Sequence, residues 1–97
     1  MSVKVMLEVQ SKPECIDDLK ATFESTLPDT RSYEGCINLQ VIGNQDDPLN
    51  IVLLETWETR KHYEKYLTWR AESGSLEALG SMLSKAPSIR YFDELDI

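Results

Sequence analysis

The chain has 97 residues, of which 41% are hydrophobic and 28% charged, values typical of one globular domain spanning residues 1–97. Acidic residues outnumber basic ones by 17 to 10, the formal net charge is −7, and the basic residues are scattered, which argues against a nucleic-acid partner. Neither an export signal nor a membrane-spanning segment is evident, so we expect a cytoplasmic protein with no membrane partner.

Two cysteines and one histidine limit the chemistry of the chain. Cys15 and Cys36 are too far apart for a CxxC motif, and a single histidine is too few to complete a metal site with them. Both are therefore expected to be free thiols, and no metal is expected.

The amino-terminal third predicts a strand followed by an amphipathic helix. Residues 3–9 alternate between apolar and polar side chains, which is typical of a strand with one buried face. Ser11 and Glu14 have the spacing of a capping box, so the helix is expected to begin there. Apolar residues then recur at helical spacing as far as Leu27, and Pro28 is expected to end the helix.

A hairpin follows in the middle of the chain. Residues 36–42 alternate as a second strand, residues 43–48 have the composition of a turn, and residues 51–54 are continuously apolar. The third strand is therefore predicted to be covered on both faces and to end at Glu55 and Trp57.

The last part of the chain predicts two helical segments and a strand. Thr59 is the expected N-cap of a helix that runs to Gly74, where the chain bends before a shorter helix that ends ahead of Pro87. Residues 89–92 form the last predicted strand, and the acidic residues 93–97 a solvated tail.

The element order β-α-β-β-α-(α)-β predicts an α+β, ferredoxin-like βαββαβ sandwich: a four-stranded antiparallel sheet with its helices on one face. The opposite face would still carry apolar side chains such as Met6, Ile42 or Leu53, depending on the strand register. We therefore expect a homodimer that covers this face.

Four fragments in this order resemble the antibiotic biosynthesis monooxygenase family: YEGCI at 33–37, DP at 47–48, ETWET at 55–59 and PSIRYF at 87–92. The resemblance extends over nearly the whole chain. It implies a dimeric α+β barrel, in which two sheets pack face to face and each subunit keeps a pocket between its sheet and its helices.

The resemblance leaves several activities open. Some members of the family are cofactor-independent oxygenases acting on polyketide-like or quinol substrates, close relatives degrade haem, and another group processes the autoinducer-2 signal. Many members carry a histidine where this chain has Tyr66, and a second near Trp69 and Arg70. The haem-degrading relatives also use an asparagine on the first strand and a histidine further along the second helix. Residues 6–8 and 75–76 supply neither, so haem degradation is disfavoured.

The candidate site lies on the helix after ETWET. At about 100° per residue, His62, Tyr66, Trp69 and Arg70 share one arc of that helix, with Leu67 beside them. The predicted catalytic residues are His62 as the base, Arg70 as the holder of a substrate anion, and Tyr66 as a hydrogen-bonding group. The predicted substrate-binding residues are Trp57, Tyr63 and Trp69.

Each of these residues also has a structural interpretation. His62 near the start of a helix could belong to a cap or to the surface, and Tyr63 could simply fill the core. Trp57 suits either the core or a pocket wall. A buried Arg70 needs a partner, which could be the Glu55 carboxylate or a ligand anion.

We therefore expect a cofactor-independent monooxygenase, with no cofactor and no metal, acting on a small aromatic, quinol or polyketide-like substrate. Two alternatives stay open from the sequence. One is a non-catalytic small-molecule-binding or structural dimer, and the other is a non-redox enzyme, an isomerase acting on a small hydroxyketone.

Overall fold

Alternating strands and two long amphipathic segments produce an α+β sandwich in the computed structural model, which describes residues 2–97. The elements in chain order are β1 (Val3–Gln10), a 3₁₀ turn (Pro13–Cys15), α1 (Ile16–Arg31), β2 (Cys36–Gly43), β3 (Asn50–Trp57), α2 (Arg60–Glu72), α3 (Ser75–Ser81) and β4 (Ser88–Phe92). The strands form one antiparallel sheet in the order β2-β3-β1-β4. The predicted ferredoxin-like βαββαβ architecture is confirmed.

The inner face of the sheet carries the core. On β1 and β3 every second residue is buried, as a strand with one face against helices requires. Leu7, Leu53 and Phe23 belong to a cluster beneath α1. A second cluster joins Val5 and Trp57 to the aromatic residues of α2. The site described below lies where these two clusters meet.

The apolar residues on the outer face of the sheet do not include Leu53. Leu53 is 2% exposed and points into the core, whereas its neighbour Leu54 lies on the outer face opposite Met6. Ile42, 44% exposed, pairs with the half-buried Val52 on that same face. The prediction that β3 is covered on both faces is therefore wrong for the chain itself.

The predicted cap of the first helix and its predicted end are also wrong, although the helical turn begins at Pro13, close to the predicted start. Ser11 is buried, and its side chain donates to the Lys12 carbonyl at 2.8 Å instead of capping a helix. Pro28 lies inside α1, which continues to Arg31. Pro28 has no backbone N–H to donate to the carbonyl of Glu24. Both residues are exposed, so water can donate to that carbonyl instead.

The observed boundaries of α2 agree with those predicted from the sequence. Thr59 is the N-cap, and its side chain accepts a hydrogen bond from the backbone N–H of His62. Gly74 separates α2 from α3 with a φ of 81°, a left-handed conformation that favours glycine. None of the helices formed by residues 2–97 combines the length and the hydropathy needed to cross a membrane.

Candidate functional site

A cavity of about 150 Å³ lies between the inner face of the sheet and the three helices. Most of its lining is apolar. Its ionisable or phenolic side chains come from β3 and α2: Glu55, Tyr63, Tyr66 and Arg70. Two predicted catalytic residues, Tyr66 and Arg70, and one predicted substrate-binding residue, Tyr63, are thus brought together at one cavity.

Arg70 is a buried cation held by neutral groups. It is 7% exposed, and its Nε donates to the Tyr66 hydroxyl at 2.9 Å. Its Nη2 donates to the carbonyl of Thr26 at 2.9 Å and to the hydroxyl of Thr30 at 3.0 Å. No Asp or Glu of residues 2–97 forms an ion pair with Arg70, and Glu55 is therefore not its partner. A buried charge without a counterion favours binding of an anion.

Tyr66 is oriented by the same network. Its hydroxyl lies 2.6 Å from the hydroxyl of Thr30, which also accepts from Arg70. Tyr66 and Arg70 are four residues apart on α2, so their side chains lie one above the other on the same helix face. The network fixes both side chains against α1 and leaves the phenol ring of Tyr66 on the cavity wall.

Glu55 is a buried carboxyl group on the cavity wall. It is 4% exposed, and burial raises its pKa to about 7, although the hydrogen bond from Trp57 acts in the opposite direction. Its Oε1 accepts from the indole N–H of Trp57 at 3.0 Å. The other oxygen, Oε2, accepts no hydrogen bond from residues 2–97. Because every fully enclosed polar side-chain atom in that range has a partner, Oε2 is not fully enclosed.

Tyr63 presents a neutral phenol to the cavity. Burial, and secondarily the negative charge of Glu55, raises the pKa of its hydroxyl, so the group stays protonated. Its ring packs edge-on against Trp57 with the ring centroids 5.4 Å apart. Because the hydroxyl has no hydrogen-bond partner in the described part of the chain, it can donate to a ligand.

His62 lies outside this constellation. It is in the first turn of α2, with Nδ1 2.6 Å from the hydroxyl of Thr59 and Nε2 3.7 Å from a carboxylate oxygen of Glu58. Its side chain packs over Gly35, and it does not line the cavity. The structure therefore places the predicted base with the cap of α2 and not with Tyr66 and Arg70.

The two tryptophans lie outside the cavity and contact residues that line it. Trp57 is 0% exposed, does not line the cavity, and holds Glu55. Trp69 is 38% exposed; it stacks on Tyr33 at 5.2 Å between ring centroids and lies under the Arg70 guanidinium at 4.6 Å. Both predicted substrate-binding tryptophans thus contact residues of the site and lie outside the cavity itself.

Sequence reasoning assigned no site role to Glu55, Thr30 or Tyr33. For Glu55 a signal exists, because it is two positions before Trp57, a spacing that places both side chains on one face of the strand. For Thr30 and Tyr33 the signal is absent, since their partners lie on α2, more than thirty positions away. Among residues 2–97, no group of three or more metal-binding side chains occurs.

Comparisons with known proteins agree with the fold. The family model for antibiotic biosynthesis monooxygenases matches residues 2–71. A search among curated proteins finds no match.

Three solved structures illustrate the similarity. A conserved protein from Methanosarcina mazei is 21% identical, with a TM-score of 0.89 over 98% of this chain and 94% of its own. An antibiotic biosynthesis monooxygenase is 19% identical, with a TM-score of 0.86 over 96% and 98%. A protein from Mycobacterium tuberculosis is 21% identical, with a TM-score of 0.79 over 100% and 98%. The matching family model, which covers more than half of the sequence, shows that this chain belongs to the antibiotic biosynthesis monooxygenase family.

Proposed function

We propose that the protein is a monooxygenase that oxidises a small phenol or quinol with dioxygen and needs neither a metal nor a flavin. Membership of the family supports a monooxygenase-type function. The observation that carries the proposal is the buried Arg70, which lines an apolar cavity and has no counterion among residues 2–97. Such a cation favours a substrate that becomes an anion during the reaction.

The size of the cavity limits the substrate. At about 150 Å³ it has the volume of an apolar cavity that encloses one benzene molecule. Pockets for drug-sized ligands are larger, about 300 to 1,000 Å³. The volume therefore favours a single-ring phenol or quinol over the multi-ring, polyketide-like substrates that the sequence left open.

The reaction needs no electrons beyond those of the substrate. The substrate carries hydrogen on a ring carbon ortho or para to a hydroxyl group; that hydroxyl loses its proton, and the electron-rich anion reacts with dioxygen at that carbon. One oxygen atom stays on that carbon, as the second carbonyl oxygen of a quinone when the substrate is a phenol, or as the hydroxyl oxygen of a hydroxyquinone when it is a quinol. The other leaves as water with the two hydrogens that the substrate loses, so four electrons pass from the ring to dioxygen.

The side chains at the cavity suit this chemistry. The Nη1 group of Arg70, which donates no hydrogen bond within residues 2–97, and the Tyr66 hydroxyl would donate to the substrate anion. The protonated Tyr63 adds a further donor. The apolar lining excludes water and strengthens these interactions.

Oxygen uptake tests the proposal directly. The protein, treated with a chelator and free of flavin, is supplied with a panel of single-ring phenols and quinols, and uptake above the uncatalysed rate is measured with an oxygen electrode. Wild-type protein should consume one dioxygen per quinone formed, and ¹⁸O₂ should label the quinone.

Arg70→Gln is the decisive variant, and Arg60→Gln, on the exposed start of α2, is its matched control. Loss of a charged donor to the anion should lower kcat about a hundredfold in Arg70→Gln, while the control keeps the wild-type rate. Equal rates in the two variants, with circular dichroism showing both folded, would contradict the role of Arg70.

A non-catalytic binding protein is the second candidate. Its support is the aromatic packing: Trp57 is fully buried and Trp69 stacks on Tyr33, so both tryptophans act as structural groups. This candidate predicts binding of phenols without oxygen uptake. Conversion of a small hydroxyketone without oxygen uptake would instead indicate an isomerase.

A homodimer is the remaining part of the proposal. The outer face of the sheet presents Met6, Val52 and Leu54 beside the more exposed Ile42 and Phe92. Covering this strip with a second copy removes apolar surface from water. Light scattering at micromolar concentration should give twice the chain mass for wild-type protein and for the turn variant Gln45→Lys, and one chain mass for Leu54→Lys.

A further inference from the structure

We infer that Glu55, and not His62, accepts the hydroxyl proton of the substrate. This inference rests on the proposed function and names the base that the proposed reaction requires. It is based on four features of Glu55: its place on the cavity wall, its free oxygen, the fixed orientation of its carboxyl group, and the charges that surround it.

The first three features are geometric. Glu55 lies on the inner face of β3, between the inward-facing Leu53 and Trp57, and its side chain borders the cavity. Trp57 binds Oε1 and so orients the carboxyl group. Oε2 has no partner in residues 2–97 and is the atom available to a ligand hydroxyl.

The surroundings of Glu55 supply few charges. Across the sheet on β2, Cys36 has a raised pKa, caused first by burial and then by the negative charge of Glu55. From α2, Tyr63, Tyr66 and Arg70 line the same cavity, whereas α1 contributes no ionisable side chain to it. Burial, and no neighbouring charge, is the main cause of the raised pKa of Glu55.

Arg70 lines the cavity from a different element. Its guanidinium donates to the Tyr66 hydroxyl and to Thr26 and Thr30 of α1, and no ion pair joins it to Glu55. Its positive charge is not among the causes that shift the pKa of Glu55. The base and the cation therefore line the same cavity from different elements, β3 and α2, without an ion pair between them.

This arrangement indicates a class of substrate. The O–H bond of the substrate breaks, its electron pair stays on the substrate oxygen, and the proton forms a new bond to Oε2 of Glu55. In an enolised dicarbonyl, conjugation spreads the resulting charge onto the second oxygen, whereas in a quinol it spreads onto ring carbons, and the second hydroxyl oxygen can accept a hydrogen bond from Arg70. A ring with two conjugated oxygens can thus release a proton at Glu55 and present its second oxygen to Arg70.

The neutral pH range suits this transfer. With a pKa raised to about 7, a substantial fraction of Glu55 is ionised and able to accept a proton near pH 7, and the resulting acid is stable in its buried site. A carboxylate with the ordinary pKa would be a much weaker base. His62, held by Thr59 and Glu58 at the start of α2, does not line the cavity where that hydroxyl would bind.

The first test compares the pH dependence of oxygen uptake in three proteins. Glu55→Gln retains an acceptor for Trp57 but cannot take a proton, and His62→Gln is the matched control, since His62 is the only histidine of the chain. Wild-type kcat/KM should rise with pH and level off above about pH 7. In Glu55→Gln, kcat/KM should be about a hundredfold lower and should no longer rise with pH, whereas His62→Gln should keep the wild-type rate and pH dependence. The inference would be overturned if kcat/KM no longer rose with pH in His62→Gln, or if it still did so in Glu55→Gln.

A second test does not depend on turnover. 4-Nitrophenolate is bound at pH 8, where Glu55 is largely ionised, and proton uptake is measured calorimetrically in buffers of different ionisation enthalpy. Wild-type and His62→Gln proteins should take up about one proton per molecule bound, and Glu55→Gln none. The same proton uptake in Glu55→Gln as in wild type, or no binding of 4-nitrophenolate by wild type, would overturn the inference.

The two tests separate the inference from the function on which it rests. If no substrate of the panel supports oxygen uptake while proton uptake occurs and disappears in Glu55→Gln, the monooxygenase proposal fails and Glu55 is still the group that takes up a proton when an anionic ligand binds. If oxygen uptake occurs and its rate and pH dependence are the same in Glu55→Gln as in wild type, the monooxygenase proposal stands and the assignment of Glu55 fails.

Discussion

The indole N–H of Trp57 donates to the carboxyl group of Glu55 across 3.0 Å, with one residue between them on β3. Side chains two positions apart on a strand share a face, so the E-x-W spacing of the sequence brings an acid and its donor together. Both side chains are buried. The hydrogen bond satisfies the indole and holds one carboxyl oxygen, leaving the other for the cavity.

Trp57→Phe should raise the pKa of Glu55 further above 7. The Trp57 hydrogen bond lowers the pKa of Glu55, and phenylalanine keeps an aromatic ring without the N–H. The ¹³C carboxyl signal of Glu55, assigned by its absence from Glu55→Gln, follows the titration by NMR. Trp69→Phe is the control and should leave the pKa of Glu55 unchanged, because Trp69 does not bind Glu55. A fall in the pKa of Glu55 in Trp57→Phe would contradict the assigned hydrogen bond.

The fold could be predicted from the sequence because the alternation of β1 and the spacing of the two main helices follow directly from burial of one face. The burial of Glu55 near the end of β3 could not be predicted. A glutamate normally interrupts a buried run, since an ionised carboxylate in a core costs several kcal/mol. Glu55 continues the buried face of β3 because its raised pKa lets it stay neutral below about pH 7 and Trp57 donates to it.

The candidate site could be predicted in part. Relative to Tyr66, the helical period places Tyr63 and Arg70 about 40° to 60° to one side, and His62 and Trp69 equally far to the other. The sequence does not determine which of these two sides of α2 faces the cavity, because that depends on how α2 packs against the sheet. In the structure Tyr63, Tyr66 and Arg70 are buried, while His62 and Trp69 retain contact with solvent.

The stability of the protein should fall as the pH rises from about 4.5 to 7 through the contribution of Glu55. Its pKa is raised from an ordinary 4.5 to about 7 in the folded state, so folding favours the protonated form. The stabilisation is complete below pH 4.5 and is lost as the folded carboxyl group ionises near pH 7. A shift of this size corresponds to about 3 kcal/mol.

Urea unfolding at pH 5 and pH 8 measures this contribution when wild-type protein is compared with Glu55→Gln. The exposed carboxylates contribute equally to both proteins, so the difference between them isolates Glu55. Wild-type protein should lose more free energy of unfolding between pH 5 and pH 8 than the variant does. The same change in both proteins would show that Glu55 ionises equally in the folded and unfolded states.

Thr30→Val should destabilise the protein by about 1 to 3 kcal/mol, because the Tyr66 hydroxyl and Arg70 each lose a buried hydrogen-bond partner. Valine has nearly the same shape as threonine, so packing changes little. Thr68→Val on the exposed face of α2 is the control and should change the free energy of unfolding by less than about 0.5 kcal/mol. Equal effects in urea unfolding would mean that Thr30 contributes only its shape.

Gly35→Ala should be the most destabilising of the alanine substitutions at glycines, because it combines backbone strain with a steric clash. Gly35 has a φ of 92°, and a Cβ built there would lie 2.5 Å from the His62 side chain. Gly74→Ala is the matched control, since Gly74 has a φ of 81° and nothing within 4 Å of a Cβ. Strain alone costs about 1 to 2 kcal/mol, and overpacking adds about 1 to 3 kcal/mol.

The difference between these two glycine variants in urea unfolding therefore measures the contact between Gly35 and His62. Displacing the imidazole would also break its 2.6 Å hydrogen bond to Thr59, so the His62 ring signals should shift in Gly35→Ala and stay in place in Gly74→Ala. Equal free energies of unfolding in the two variants, with unchanged His62 signals, would show that the added methyl group fits beside His62 without displacing it. His62 would then not be in close contact with Gly35 at the start of α2.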